Sequence, residues 1–248
     1  MLFDAHSHLN MVPEEELTLT LAKAKQSGVG EIISCSTSFT SNETNLDLSR
    51  RYPQIKTAIG LYPLDIVELN NNELNRAFDF FKFEIDNSIA IGEIGLDFKY
   101  SRRQEEQTKQ IEVFNRFIDM AVEYNKPLIV HSRFAQSQVL ELLNEKNPSK
   151  VLLHSFVDSQ KLMRKATQLG YYVSCGLSVL WNEEVQKNIK EFPLEKLLFE
   201  TDSPITFKEF KATPDKIYVI AEKVAQIKGI TLKEIEGIQE KNYRKLFY

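Results

Sequence analysis

The chain alternates short apolar runs with longer segments in which apolar residues recur every three or four positions. The apolar runs contain few polar residues, which is typical of strands that are buried on both faces of a parallel sheet. They predict eight strands: Leu2–Ala5, Glu31–Cys35, Lys56–Ile59, Ile89–Glu93, Pro127–His131, Lys150–His154, Tyr171–Cys175 and Lys196–Thr201.

The segments between these strands carry the signals of helix ends. Pro13 stands where a first helical turn would begin, and Gly28 stands where that helix would end. Near the end of the chain, Thr231 and Glu234 form a capping-box pattern. Regular alternation of strands and helices over 248 residues predicts a single α/β domain, a (β/α)8 TIM-type barrel spanning residues 1–248.

All four histidines stand at or beside the carboxyl ends of predicted strands. His6 and His8 form a His-x-His pair after the first strand, and His131 and His154 end the fifth and the sixth. In a barrel these strand ends converge on one face, where active sites lie. One such histidine would most often be a hydrogen-bonded core residue, but the placement of all four favours a metal site.

Two carboxylates occupy equivalent places, because Glu93 ends the fourth predicted strand and Asp202 follows the eighth. Four imidazoles and two carboxylates exceed one tetrahedral site with an open position, so they predict two divalent cations. Asp202 and Glu93 are also the candidate catalytic residues, with Asp202 as the base, since a carboxylate beside cations stays ionised. The expected ligands are His6, His8 and Asp202 for one ion, His131 and His154 for the other, and Glu93 as the bridge.

Five short motifs extend this pattern over almost the whole chain. They are Asp4-Ala5-His6-Ser7-His8, Gly92-Glu93-Ile94-Gly95-Leu96-Asp97, Val130-His131-Ser132-Arg133, Leu153-His154-Ser155-Phe156 and Glu200-Thr201-Asp202-Ser203-Pro204. Together and in this order they resemble the TatD family of metal-dependent deoxyribonucleases, within the amidohydrolase-like barrel superfamily. The resemblance implies a distorted TIM barrel, two divalent metals, a glutamate bridge and hydrolysis of phosphodiesters, often in DNA.

The metals are only partly defined by the residues. Imidazole ligands favour zinc, manganese, iron or nickel, whereas magnesium prefers oxygen ligands. The resemblance implies the use of magnesium or manganese, so we also expect both metals as exchangeable occupants of the site.

Several segments near the expected substrate side depart from the family pattern. Gly60-Leu61-Tyr62-Pro63-Leu64 replaces a Gly-x-His-Pro-His-like segment, and Arg133-Phe134-Ala135 stands where Arg-Asp-Ala is usual. Ser155-Phe156-Val157-Asp158 replaces Cys-Phe-Ser-Gly, and the stretch from Lys208 to Pro214 replaces one rich in Arg and Asn. The metal motifs are intact, so hydrolase activity is the broader expectation and DNA cleavage is the narrower one.

Two residues are predicted to contact the substrate. Arg133 lies two residues after His131 and could pair with a phosphate through two hydrogen bonds, the alternative being a surface ion pair. Tyr62 lies near a strand-end loop and could stack on a base, the alternative being an ordinary core position. The other aromatic residues considered for stacking are Phe98, Phe156 and Trp181.

The resulting prediction is a metal-dependent hydrolase that cleaves phosphodiester bonds of DNA with an activated water. The first alternative keeps the site but acts on a small amide, lactone or phosphoester. The second is a metal-binding barrel without catalysis. A formal net charge of −4 excludes attachment to DNA through a general basic field, but not through a few local cations.

The remaining features concern the cellular location. The N-terminus has no signal-peptide pattern, and no apolar run approaches the roughly 20 residues that span a bilayer. Cys35 and Cys175 are the two cysteines and do not show a paired spacing. We therefore expect a cytoplasmic protein without membrane association, and no obligate protein partner is indicated.

Overall fold

The computed structural model describes residues 1–157, 159–207 and 210–248. Eight parallel strands form one sheet in which each strand lies beside the next along the chain. The strands are β1 (Leu2–Ser7), β2 (Val29–Cys35), β3 (Ile55–Ile59), β4 (Ala90–Asp97), β5 (Leu128–Arg133), β6 (Val151–Leu153), β7 (Tyr172–Cys175) and β8 (Leu197–Phe199). This order confirms the predicted TIM-type barrel.

Helices connect the strands and cover the outside of the sheet. Thr231 and Glu234 form the predicted capping box of the last helix, and Gly28 follows the first with a φ of 81°. The helices are α1 (Glu14–Gln26), α2 (Phe39–Arg51), α3 (Pro63–Glu68), α4 (Asn71–Glu84), α5 (Gln104–Glu123), α6 (Gln136–Lys146), α7 (Gln160–Gln168), α8 (Glu183–Glu191), α9 (Ile217–Lys228) and α10 (Leu232–Phe247). No helix in the described ranges is both long and apolar enough to cross a lipid bilayer.

A small antiparallel hairpin lies in the connection after β8. It consists of β9 (Thr206–Phe207) and β10 (Phe210–Lys211). Asp158, Lys208 and Glu209 belong to two of the segments that depart from the family pattern, and they lie outside the described residues.

The barrel closes between β8 and β1 through loop and side-chain hydrogen bonds. Asp202 N donates to the carbonyl of His6 at 3.0 Å. The buried Asp4 carboxylate accepts hydrogen bonds from the backbone N–H and the hydroxyl of Thr201. Within the described residues these two strands share no backbone ladder, so the barrel is nearly closed and is distorted at this seam.

Small and branched side chains fill the interior of the barrel. At the amino-terminal end of the strands, Tyr243 of α10 stacks on Phe3 with ring centroids 4.1 Å apart. Because α10 closes that end, the carboxyl-terminal end of the strands is left for a site, as in other barrels of this type. The cluster includes Ala5, Ile33, Ala58, Ala90, Ile129, Leu152 and Leu198.

Every predicted strand overlaps an observed one, but most strand ends differ from the prediction; β1, for example, continues past Ala5 through His6 to Ser7, and β6 ends one residue before His154. Glu93 and His131 were expected to end their strands, but β4 continues to Asp97 and β5 continues to Arg133. The reason is that β4 and β5 remain paired side by side as far as these two residues. By contrast, β6 and β8 end before the site residues that follow them.

Candidate metal centre

The alternation of side chains along the strands explains why the histidines point into the barrel. Ile129 and Leu152 belong to the interior cluster, and His131 and His154 each lie two residues further along the chain. Residues two apart share a face of a strand. The apolar interior therefore continues directly into imidazoles at the carboxyl-terminal end.

The first group of donor atoms comes from β1 and the loop after it, from β4, and from the loop after β8. His6 Nε2 and His8 Nε2 lie 3.2 Å apart. They lie 3.4 and 3.3 Å from Asp202 Oδ1 and 3.7 and 3.4 Å from Glu93 Oε2. Two atoms that bind zinc at tetrahedral angles, each at about 2.0–2.1 Å, lie about 3.4 Å from one another. The spacing of these donor atoms thus fits a cation.

The second group lies on the other side of Glu93. His131 Nδ1 approaches Glu93 Oε1 to 2.9 Å, yet this buried nitrogen has no hydrogen-bond partner among the described residues. The donor atoms of Glu93, His131 and His154 lie within 4.8 Å of one another. One carboxylate oxygen of Glu93 therefore faces His6 and His8 and the other faces His131.

Hydrogen bonds behind the cluster orient two imidazoles. His154 Nδ1 lies 2.9 Å from Glu200 Oε2, which also accepts a hydrogen bond from Ser174 Oγ at 2.5 Å. His8 Nδ1 lies 3.0 Å from the carbonyl of Cys35. A hydrogen bond on one ring nitrogen fixes the tautomer and leaves the other nitrogen available to a metal.

Asp97 supports His131 in the same way. Its Oδ2 lies 3.3 Å from His131 Nε2 and accepts a hydrogen bond of 2.9 Å from the Tyr62 hydroxyl. Its Oδ1 accepts hydrogen bonds from the backbone N–H groups of Lys99 and Tyr100. The buried carboxylate thus connects His131 to the loop that follows β4.

The charges of the cluster balance one another. Burial by itself would raise the pKa of the Glu93 and Asp202 carboxyls, but the neighbouring histidines hold both pKa values well below their ordinary range. Burial opposes protonation of His154, yet Glu200 and the other carboxylates raise its pKa to about 10. Burial, together with the charge of His154, lowers the pKa of His6. Ionised carboxylates of this kind are neutralised by protons or by cations, so the donor set fits divalent metals.

A cavity of about 400 Å³ opens onto the cluster, and Arg133 and Tyr62 both line it. Arg133 has no carboxylate within 4.0 Å in the described part of the chain, and its guanidinium lies 5.2 Å from the centre of the Tyr100 ring. The alternative of a surface ion pair for Arg133 is therefore not observed among these residues.

The three other aromatic residues considered for base stacking are not among the described residues that line the cavity. Phe156 is buried, so the prediction that it stacks on a base is wrong. Phe98 and Trp181 are partly buried and pack against the hydrophobic core. Tyr62 stays at the cavity, but its hydroxyl is used by Asp97.

Three acidic residues near the cluster were given no role from the sequence. Asp97 and Glu200 each contact a histidine of the cluster, and Asp4 accepts hydrogen bonds from the Thr201 segment. Each lies two or four residues from an expected ligand and inside a quoted motif. The sequence signal that could have identified these three residues was their acidic character within the quoted motifs.

The family follows from comparison with known proteins. A family model described as TatD related DNase matches residues 3–248. The chain belongs to the TatD family. It is 32% identical over 258 residues to the Homo sapiens protein named Deoxyribonuclease TATDN3, covering 99% of this chain and 94% of the relative.

Other relatives agree with this membership. The TatD chain is 30% identical over 256 residues to a Bacillus subtilis (strain 168) protein named as a metal-dependent hydrolase, YabD, covering 100% of this chain and 99% of the relative. A solved structure of a TatD-family hydrolase from Entamoeba histolytica matches its fold with a TM-score of 0.88 at 22% identity, covering 100% of this chain and 98% of that one. This protein is thus a metal-dependent hydrolase on a TIM barrel.

Proposed function

We propose that this TatD hydrolase cleaves phosphodiester bonds of DNA with water and binds two divalent cations. The observation that carries the proposal is the convergence of six donor side chains beneath a cavity whose wall holds an arginine without a carboxylate partner among the described residues. The proposed ligands are His6, His8 and Asp202 for one cation, His131 and His154 for the other, and Glu93 between them.

The two oxygens of Glu93 support its place as the bridge, because they face different histidines. The imidazoles favour zinc or manganese, with magnesium as an exchangeable occupant. Cations bound here would activate a water molecule and offset the negative charge that develops on the phosphate.

Asp202 is the proposed base. Its side chain is 20% exposed and lines the cavity, whereas that of Glu93 is 4% exposed. Its depressed pKa keeps the carboxylate ionised, so it can accept a proton from water as the water oxygen attacks phosphorus. The bond from phosphorus to the leaving oxygen then breaks, and Asp202 returns the proton to that oxygen. The products are an alcohol and a phosphate monoester.

Arg133 is the proposed phosphate contact. Its planar guanidinium can donate two parallel hydrogen bonds to the oxygens that do not take part in the reaction. With a net charge of −4, the protein depends on such local cations to hold DNA. The deoxyribonuclease named among its relatives supports DNA as the substrate. Two buried and unpaired cysteines support a reducing compartment such as the cytoplasm.

The proposal is tested by cleavage of end-labelled single-stranded DNA. Protein stripped of metal by a chelator is supplied separately with manganese, magnesium or zinc, beside the Glu93→Ala variant. We expect cleavage to return with at least one metal and to be lost in the variant. Protein that binds metal again but leaves DNA intact would contradict the nuclease assignment and would favour a smaller amide, lactone or phosphoester substrate.

Arg133→Ala tests the phosphate contact in the same assay. We expect kcat/KM for DNA to fall about 10- to 100-fold, because a charged hydrogen-bonding partner of the phosphate is lost. The matched control is Arg76→Ala, which removes the same charge from an exposed position on α4. Equal activities of the two variants would remove Arg133 from substrate binding.

A further inference from the structure

Phe134 combines two features that the packing of the protein does not explain. Its side chain is 73% exposed, and its backbone has a φ of 58°. The left-handed region favours Gly, Asn and Asp, whereas a bulky aromatic residue rarely adopts it. Among the described residues, the ring has no aromatic, cationic or hydrogen-bonding partner. Such combinations are typical of functional positions.

Comparison with other residues shows that neither feature alone is decisive. Phe83 on α4 is 81% exposed, but it lies on an outer helix. Asn125, Asn147, Asp202 and Ser155 also have positive φ values, but Asn and Asp adopt this conformation readily and Ser155 carries no ring. Among the described residues, Phe134 is the aromatic residue that has both a positive backbone φ and a largely exposed side chain.

The position of Phe134 relates it to the proposed substrate. It directly follows Arg133, which ends β5 and lines the cavity. The backbone carbonyl of Arg133 accepts a hydrogen bond of 2.9 Å from Phe98 N, which ties this strand end to the neighbouring β4 segment. The exposed Phe134 thus begins the loop after β5, one residue beyond the arginine that lines the cavity.

We propose that Phe134 is a stacking platform for the nucleobase next to the phosphate that Arg133 holds. This inference rests on the proposed function. An exposed aromatic ring offers a stacking surface to any base. The ligand is an unpaired nucleotide, because a base within a duplex already stacks on its neighbours and has no free face. Phe134 thereby favours single-stranded segments or strand ends without reading their sequence.

The test measures binding apart from cleavage. Fluorescence anisotropy records the affinity of wild-type protein, Phe134→Gly, Phe134→Trp and Phe83→Ala for a labelled single-stranded phosphorothioate oligonucleotide. A second oligonucleotide of the same length carries abasic residues. We expect Phe134→Gly to weaken binding of the normal oligonucleotide about 5- to 100-fold, as the loss of one stacked base predicts.

The other variants and the abasic oligonucleotide test whether the loss of affinity is specific to stacking on Phe134. Phe134→Trp should retain affinity, Phe83→Ala should match the wild type, and Phe134→Gly should bind the abasic oligonucleotide as the wild type does. The melting temperature of Phe134→Gly should not fall, because glycine adopts a φ of 58° freely. Undiminished binding of the normal oligonucleotide by Phe134→Gly, or an equal loss for both oligonucleotides, would overturn the inference.

The outcome also separates this inference from the proposed function. Binding that depends on Phe134, without cleavage under any metal, would refute only the nuclease. Metal-dependent cleavage with binding that is independent of Phe134 would refute only the stacking platform. A wild-type protein that binds neither oligonucleotide would refute the platform directly.

Discussion

Glu200→Gln changes the charge behind the proposed metal centre while keeping the shape of the side chain. Glu200 is 1% exposed, and its Oε2 lies 2.9 Å from His154 Nδ1. The carboxylate makes the ring more basic and orients Nε2 towards the cluster. A glutamine amide can still accept this hydrogen bond, so the substitution removes mainly the negative charge.

General magnitudes set the expected size of the effect. Mutation of a residue that hydrogen-bonds a metal ligand weakens metal binding about 10- to 100-fold, which corresponds to about 1.4–2.7 kcal/mol. We expect the affinity for the proposed second cation, at His131 and His154, to fall about 10- to 100-fold in the variant.

Isothermal titration calorimetry of the metal-free protein with zinc or manganese measures the change in metal affinity. Circular dichroism checks that the variant remains folded. The control is Ser174→Ala, which removes the 2.5 Å hydrogen bond to Glu200 Oε2 but keeps the charge. We expect the control to lose less affinity than Glu200→Gln. A folded Glu200→Gln protein that binds both metals as tightly as the wild type would refute the role of the carboxylate.

Three further predictions concern the stability of the fold. Gly95→Ala should lower the free energy of unfolding by about 2–6 kcal/mol, because the backbone has a φ of 136° and the new Cβ would lie 2.0 Å from the carbonyl oxygen of His131. Gly237→Ala, with nothing within 4 Å of its Cβ, should instead stabilise α10 by about 0.5–1 kcal/mol, and urea denaturation measures both. Tyr62→Phe removes the donor of the 2.9 Å hydrogen bond to Asp97 and should lower the free energy of unfolding by about 1–3 kcal/mol. An unchanged urea midpoint for Tyr62→Phe would show that this hydroxyl does not support the buried carboxylate.

Much of the fold was predictable because it follows from local periodicity. Apolar runs indicated every strand of the barrel, and the histidines near their ends placed the site at one end of it. The alternation of side chains along each strand also determines which of them point inward, as with Ile129 and His131. These features depend on residues close together in the chain, so the sequence alone contains them.

Strand lengths were less predictable, because they depend on neighbours. The fourth strand extends past Glu93 to Asp97 because β5 pairs with it over that distance. Whether an aromatic residue is buried also depends on what packs over it. Phe156 is covered, whereas Phe134, in the loop after the preceding strand, is exposed.

The sequence by itself determined the barrel, the family and the set of residues from which a metal site can be built. The tertiary structure decided how these residues meet. The contact of His154 with Glu200 joins residues 46 positions apart, and that of Tyr62 with Asp97 joins residues 35 apart. The orientation of Glu93 between two pairs of histidines and the lack of a carboxylate near Arg133 in the described chain also arise only when distant strands come together. No local pattern encodes such contacts, because each depends on the register and packing of strands that are far apart in the chain.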